Sequence, residues 1–182
     1  MLLKDYIEKC LKDENFRTSW EEQSEEFDEI SQNDRKMLTV SEALELLETD
    51  SLSSIIKNKG IKATISIPTT IEFYEKDNKC PVETFLDSIK DEKLKTKTLL
   101  NIVNLATLGN NARPPLSKYV DDGIFELRTK QSSNIDRIFY FFVFGDRIIL
   151  TNGYIKKDKK LDKEEFERAK KYRNEYLRRK NK

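Results

Sequence analysis

Histidine is absent from all 182 residues. Any chemistry must therefore run without imidazole, and neither a Ser-His-Asp triad nor a histidine metal box can be built. The only cysteines, Cys10 and Cys80, stand apart with no CxxC or metal-ligand spacing. They imply neither a disulfide nor a metal site. Five glycines and four prolines are too few for collagen-like or Pro/Gly-rich disordered chains. No apolar run approaches the ~18 residues of a membrane helix. The start, Met1-Leu2-Leu3-Lys4-Asp5, has no apolar signal core, so a cytoplasmic chain without membrane attachment is expected. No GxxxxGK followed by Ser or Thr occurs, nor GxGxxG, and the carboxylates form no paired-acid pattern. No cofactor and no metal are called for.

Charge is what the chain has in quantity. Residues 1–66 carry nine Lys/Arg against fifteen Asp/Glu, whereas residues 67–182 carry twenty-five against eighteen. The net charge of +1 hides an acidic part beside a basic one. The basic part is a candidate for contact with a polyanion, though two ordinary solvated surfaces would read the same way.

Apolar spacing organises the chain. Leu2, Leu3, Tyr6, Ile7, Cys10 and Leu11 recur at three- and four-residue intervals, which predicts a helix over 2–12. A second helix is expected over 16–30, a loop over 31–36, and short helices over 41–47 and 52–58, ended by Gly60. Isolated helices this short are marginal in water, so they should pack on something else. Period two begins at Ile61–Ile67, and after Pro68 Ile71–Glu75 resumes it. Pro81 suits the first turn of a helix with Val82, Phe85, Leu86 and Ile89 on one face. Lys93–Leu108 is another helix, ended by Gly109-Asn110-Asn111. Strands are expected at Leu116–Val120, Gly123–Lys130, Ile135–Phe144 and Arg147–Tyr154, with turns at Asp122-Gly123 and Gly145-Asp146. A charged helix, Asp162–Lys180, closes the chain. The fold class is α+β: a small curved antiparallel sheet packed against helices on one face, preceded by an acidic helical segment.

Strand alternation sorts the side chains. Phe125 and Leu127 face one way; Glu126, Arg128 and Lys130 face the other. Arg137 lies on the next strand and Lys156 follows the last one. If these strands are neighbours, Arg128, Lys130, Arg137 and Lys156 can converge on a phosphate, with Arg as a planar fork and Lys as a point charge. Tyr140 falls on the opposite face from Arg137 and reads as core, as do Phe139–Phe144. Tyr119, Tyr172 and Tyr176 read either as packing residues or, beside cations, as platforms for bases. Arg, Lys, Tyr and Glu suffice for one reaction in particular. RNA carries its own nucleophile, the 2′-OH, and arginines can stabilise the phosphorane charge.

Six blocks then carry a family likeness. They are Cys80-Pro81-Val82-Glu83-Thr84-Phe85-Leu86, Arg113-Pro114-Pro115-Leu116-Ser117-Lys118-Tyr119, Phe125-Glu126-Leu127-Arg128, Asp136-Arg137-Ile138-Phe139-Tyr140-Phe141-Phe142, the run from Ile148 to Lys157, and Glu165…Glu167-Arg168-Ala169. Over roughly residues 70–180 the chain resembles the RelE/ParE superfamily of bacterial toxins, and within it the phage-derived Gp49-like, HigB-type branch. The resemblance implies a RelE-like curved sheet and a ribosome-dependent mRNA endonuclease of a type II toxin–antitoxin system. It implies Arg128, Lys130, Arg137 and Lys156 as catalytic residues, and Lys118, Tyr119, Lys157, Tyr172 and Tyr176 as RNA contacts. The histidine-dependent HigB mechanism is excluded. Implied partners are mRNA, the ribosome and a cognate HigA-type antitoxin, and a homodimer is compatible. ParE-like relatives inhibit DNA gyrase without nuclease chemistry and supply the alternative.

The first 60 residues depart from that family, whose likeness begins within the 61–182 toxin domain. Leu3-Lys4-Asp5-Tyr6-Ile7-Glu8…Trp20-Glu21-Glu22 looks like the leader of HigA-type antitoxins. This likeness implies an antitoxin-like segment that docks in cis on the basic surface. An extension that packs elsewhere, and a non-toxic, self-inhibited interaction protein, are the competing readings.

Overall fold

The computed structural model describes residues 1–33, 69–143, 147–156 and 161–180. The expected elements at 41–47, 52–58 and 61–67 lie outside them, as does the Gly145-Asp146 turn. The described helices are α1 (Leu3–Cys10), α2 (Glu14–Asn33), α3 (Pro81–Ser88), α4 (Glu92–Leu108) and α5 (Lys163–Lys180). The strands are β1 (Thr70–Phe73), β2 (Ser117–Asp121), β3 (Ile124–Gln131), β4 (Asn134–Val143) and β5 (Arg147–Ile155). Helix α2 runs through Ser31-Gln32-Asn33, where a loop was expected. Those residues are polar but include no Gly or Pro to stop a helix.

Local chemistry explains the boundaries. Asp91 caps α4 by accepting the Leu94 amide at 3.2 Å. Pro81 occupies the start of α3, where its missing N–H costs nothing. Asp122 and Gly123 both have positive φ, which suits the tight β2–β3 hairpin.

The sheet runs β1-β5-β4-β3-β2. The β2–β3, β3–β4 and β4–β5 pairs are antiparallel, as expected, but β1 pairs with β5 in parallel. The sheet is therefore mixed, curved and unclosed, an α+β arrangement of RelE-like form. Period two in a sequence reports faces and not strand direction, so the parallel edge was invisible.

Helices cover both faces rather than one. Helices α3 and α4 pack on the side of Phe125, Leu127, Ile138, Tyr140, Ile148 and Leu150, while α5 packs through Phe166, Ala169 and Tyr176 on the side of Phe139, Phe141 and Ile149. The cause can be read in β4, where six consecutive residues, 136–141, are buried. A strand with one wet face alternates, whereas one covered on both faces is buried throughout.

Helices α1 and α2 join the α4 side. Leu3, Tyr6, Ile7, Cys10, Phe16 and Trp20 belong to one cluster with Phe73, Val82, Leu86 and Leu99. The Tyr6 ring meets Phe73 at 5.6 Å, and its hydroxyl donates to Asp87 at 2.7 Å. Lys9 reaches Glu83 at 2.8 Å and Asp87 at 3.0 Å. Ser19 and Thr96 share a buried hydroxyl contact of 3.0 Å. The Phe73 amide donates to the Met1 carbonyl at 2.9 Å, tying the chain start to the β1 edge. Large apolar side chains contribute about 1.5–3 kcal/mol each when buried. Five such side chains, Leu3, Tyr6, Ile7, Phe16 and Trp20, are comparable to the whole net stability of a domain, roughly 5–15 kcal/mol. A chain lacking residues 1–25 is therefore expected to lose its cooperative thermal transition. An unchanged, sharp melting curve would show instead that these helices are an appendage.

Candidate nucleic-acid interface

Strand register assembles the site on the α5 face. Arg128 of β3 lies opposite Arg137 of β4, which lies opposite Tyr154 of β5. These three form a row across the sheet. Along the strands toward the β3–β4 turn, Lys130 pairs with Ile135, whose carbonyl accepts the Lys156 amide at 2.8 Å. Lys130 and Lys156 thus end a second row beside the first. All four expected catalytic positions share one face over two adjacent rows. Lys118 lies opposite Glu126 on the same face, one strand further out.

Burial divides this set. Arg137 is only 5% exposed, whereas Lys118 and Lys130 are exposed and Arg128 is partly so. The Arg137 Nε lies 2.6 Å from Glu126 Oε1, and its Nη1 donates to the Asp136 carbonyl at 2.6 Å. The same Glu126 oxygen is 3.4 Å from Arg128 Nε. Neither Nε makes an aligned hydrogen bond, so both contacts are ionic. One carboxylate oxygen thereby sets two guanidinium groups side by side. Glu126 was placed on this face by alternation, but no role followed from its spacing. A carboxylate two residues before an arginine on one strand face was the available signal.

Asp136 points the other way and is fully buried. Its Oδ2 touches Thr98 Oγ1 of α4. The Thr98 hydroxyl also reaches the Leu94 carbonyl at 2.7 Å, where it must be the donor. A threonine hydroxyl has one hydrogen. It is shared between the Leu94 carbonyl and the Asp136 carboxyl group, both of which accept. Burial pushes the Asp136 carboxyl up to about 6, opposed by the Thr98 and Thr129 hydroxyls and the Arg137 charge. Asn101 donates to Thr129 Oγ1 at 3.1 Å, extending this polar layer beneath the arginine row. The Tyr154 hydroxyl is likewise pushed up to about 12, chiefly by burial.

The remaining candidates lie apart from the row. Tyr119 stands on the opposite face beside Phe125. Tyr172 stacks on Tyr74 at 4.7 Å, and Tyr176 meets Phe141 edge-on while donating to Glu72 at 3.3 Å. Both belong to the packing between α5 and the β1 side of the sheet. Tyr140 is buried on the α4 face, as its spacing indicated. Lys157 lies outside the described residues. Among the described residues, no group of three or more Cys, Asp or Glu is placed to hold a metal ion. No described helix is long and apolar enough to cross a membrane.

A curved, unclosed sheet backed by helices, with a row of arginines on one face, has the architecture of the RelE-like fold. Residues 85–174 match the model of the family described as phage derived protein Gp49-like (DUF891), a family of RelE/HigB-like toxins. The match runs from the second half of α3 through most of α5 and so contains every residue of the arginine row. No curated protein matches the chain.

Two predictions follow from burial. Asp136 should make stability depend on pH. Its folded-state value lies above the ordinary 3.8, so its stabilising effect is full below that value and is lost as pH rises through about 6. Raising the pH from 4 to 8 should cost on the order of 2–3 kcal/mol through this group, at about 1.4 kcal/mol per unit. Asp136→Asn keeps the side chain's size and an acceptor for Thr98 but removes the titrating group, and should flatten that slope in urea melts at several pH values. An unchanged slope assigns the dependence elsewhere. Separately, Arg137→Ala strands a buried Glu126 and should cost about 3–5 kcal/mol. Arg128→Ala breaks a more exposed pair and should cost less than about 1 kcal/mol. Equal losses in denaturant unfolding would show that Glu126 does not depend on Arg137.

Proposed function

We propose that this chain is the toxin of a toxin–antitoxin pair and cleaves mRNA as an endoribonuclease on the ribosome. The observation that carries the reading is the pair Arg128–Arg137, opposite each other on neighbouring strands and held by one Glu126 oxygen. In this reading the RNA 2′-OH gives its proton to solvent water and attacks the adjacent phosphorus, and the bond to the 5′-oxygen breaks. The products are a 2′,3′-cyclic phosphate and a free 5′-hydroxyl. The two guanidinium groups stabilise the negative charge that builds on the phosphorane, a term that removal of one donor shows to be worth about 10²–10³ in rate. Lys130 and Lys156, one row away, supply positive charge to the flanking phosphate and the proton for the leaving 5′-oxygen. Glu126 is a positioning residue: by ionic contact it draws the two guanidinium groups side by side and offsets the charge of buried Arg137.

The controlling partner in this reading is an antitoxin in trans. The described contacts of α1 and α2 fall on α3, α4 and the β1 edge, whereas Arg128 and Arg137 lie on the α5 face.

Primer extension on an mRNA incubated with ribosomes and the full-length chain tests the reading. New 5′ ends are expected with the wild type. Arg128→Ala should reduce them about 100-fold with little change in melting temperature. A folded wild type that leaves the mRNA intact on ribosomes overturns the nuclease reading. Inhibition of DNA supercoiling by that same sample would then favour the gyrase-binding alternative.

A further inference from the structure

The side of the sheet facing away from the arginine row holds a second feature. A cleft of about 490 Å³ opens between the loop after α4 and strands β2, β3 and β4. Its size falls in the usual range of small-ligand sites. Tyr119, Phe125, Tyr140 and Phe142 give it aromatic walls. These rings form a connected set: Tyr119 meets Phe125 edge-on at 5.3 Å, Phe125 stacks on Tyr140 at 5.4 Å, and Phe142 meets both edge-on. Tyr119, in spite of its size, is 53% exposed.

The polar groups of the cleft are selective. The charged residues lining it are Arg113 and Lys118, both cations, and neither is in an ion pair among the described residues. The Arg113 guanidinium is fixed by donating to the Asn110 and Ala112 carbonyls at 2.7 and 2.9 Å. At the floor, Ser117 Oγ and Tyr140 Oη lie 2.5 Å apart, and both residues are 1% exposed. Two hydroxyls own two hydrogens, and their mutual bond uses one. The other has no acceptor among the described residues, and both hydroxyl-bearing residues line the cleft. Flat apolar walls, a buried hydroxyl donor and a cationic rim match a base with its phosphate better than an apolar side chain, which would leave the donor and the cations unused.

We propose that this cleft binds a nucleobase of single-stranded RNA, with its phosphate on Arg113 and Lys118 and its ring against Tyr119. The inference rests on the RNA reading above and adds a site that reading does not require. Lys118 makes the two compatible. It sits on the edge strand β2, opposite Glu126 of the arginine face, and it also lines the rim of the cleft. An RNA strand can pass from Arg128 around the β2 edge and place a neighbouring base in the cleft.

The test is fluorescence anisotropy of a labelled 2′-O-methyl oligouridylate, which lacks the attacking hydroxyl and stays intact, titrated with the full-length chain. Tyr119 is exposed, so its variants should fold normally. Tyr119→Leu, which keeps apolar bulk and removes the ring, should weaken binding at least about fivefold; Tyr119→Phe should stay within about twofold of wild type. An oligonucleotide carrying 5-iodouridine should photocrosslink to the peptide that contains Tyr119. Equal binding by Tyr119→Leu, with crosslinks elsewhere and weakening only in Arg128→Ala, overturns the cleft site and leaves the RNA reading standing. No binding by folded wild type overturns both.

Discussion

Strand β4 is covered on both faces, and this constraint governs most of what surrounds it. A central strand with a helix layer on each side has no wet face on which to place a charge. The chain nevertheless sets Asp136 and Arg137 in succession at that position, so one carries its charge toward α4 and the other toward α5. Each needs a local remedy, because an uncompensated buried ion costs several kcal/mol. For Arg137 the remedy is the Glu126 carboxylate and two backbone carbonyls. For Asp136 it is the hydrogen bonds of the Thr98 and Thr129 hydroxyls. The two remedies anchor opposite faces of one strand, so the arginine row is held by the core rather than by a loop. Under the proposed nuclease reading this rigidity matters, since groups that meet developing charge must not reorganise as it forms.

The same burial separates two roles that look alike in sequence. Arg128 and Arg137 are both arginines on strand interiors, and they lie opposite each other. Yet Arg137 is almost wholly enclosed and engaged by protein groups, while Arg128 keeps part of its guanidinium open. Substituting Arg137 therefore disturbs folding, and under the proposed nuclease reading folding and cleavage together. Under the same reading Arg128 reports on the RNA alone, and that makes it the informative position.

Much of the architecture was legible because period two and period 3.6 assign faces directly. Alternation put Glu126, Arg128 and Lys130 on one side and Phe125 and Leu127 on the other, and the structure keeps that division. It also placed Tyr140 away from Arg137. Face assignment says nothing about which layer lies above. The run Ile138–Phe144 breaks alternation, and this was the mark of a strand covered twice; read as core alone, it concealed the helix on the second side. The parallel β1 edge depends on pairings some eighty residues apart, Thr70 with Arg147, which no local pattern encodes. The weight of Glu126 was hidden for a related reason. Its partner Arg137 is distant in sequence and adjacent only through the β3–β4 register.

The N-terminal helices show how packing constrains regulation. An inhibitory segment must leave its site for activity to appear, and its departure must cost less than the stimulus supplies. Helices α1 and α2 bury Leu3, Tyr6, Ile7, Phe16 and Trp20 in the same cluster as Phe73 and Leu86. Releasing them would uncover core on the α4 side and leave Arg128 and Arg137, on the α5 side, as they were. Acidic residues on such helices act at a distance across a screened solvent, where the Debye length is about 8 Å at physiological ionic strength. Direct occlusion of the arginine row by residues 1–25 would thus require a different fold of the whole domain. A separate chain reaches that side of the sheet without such a change, because Lys118 and Lys130 are exposed there and Arg128 is partly so.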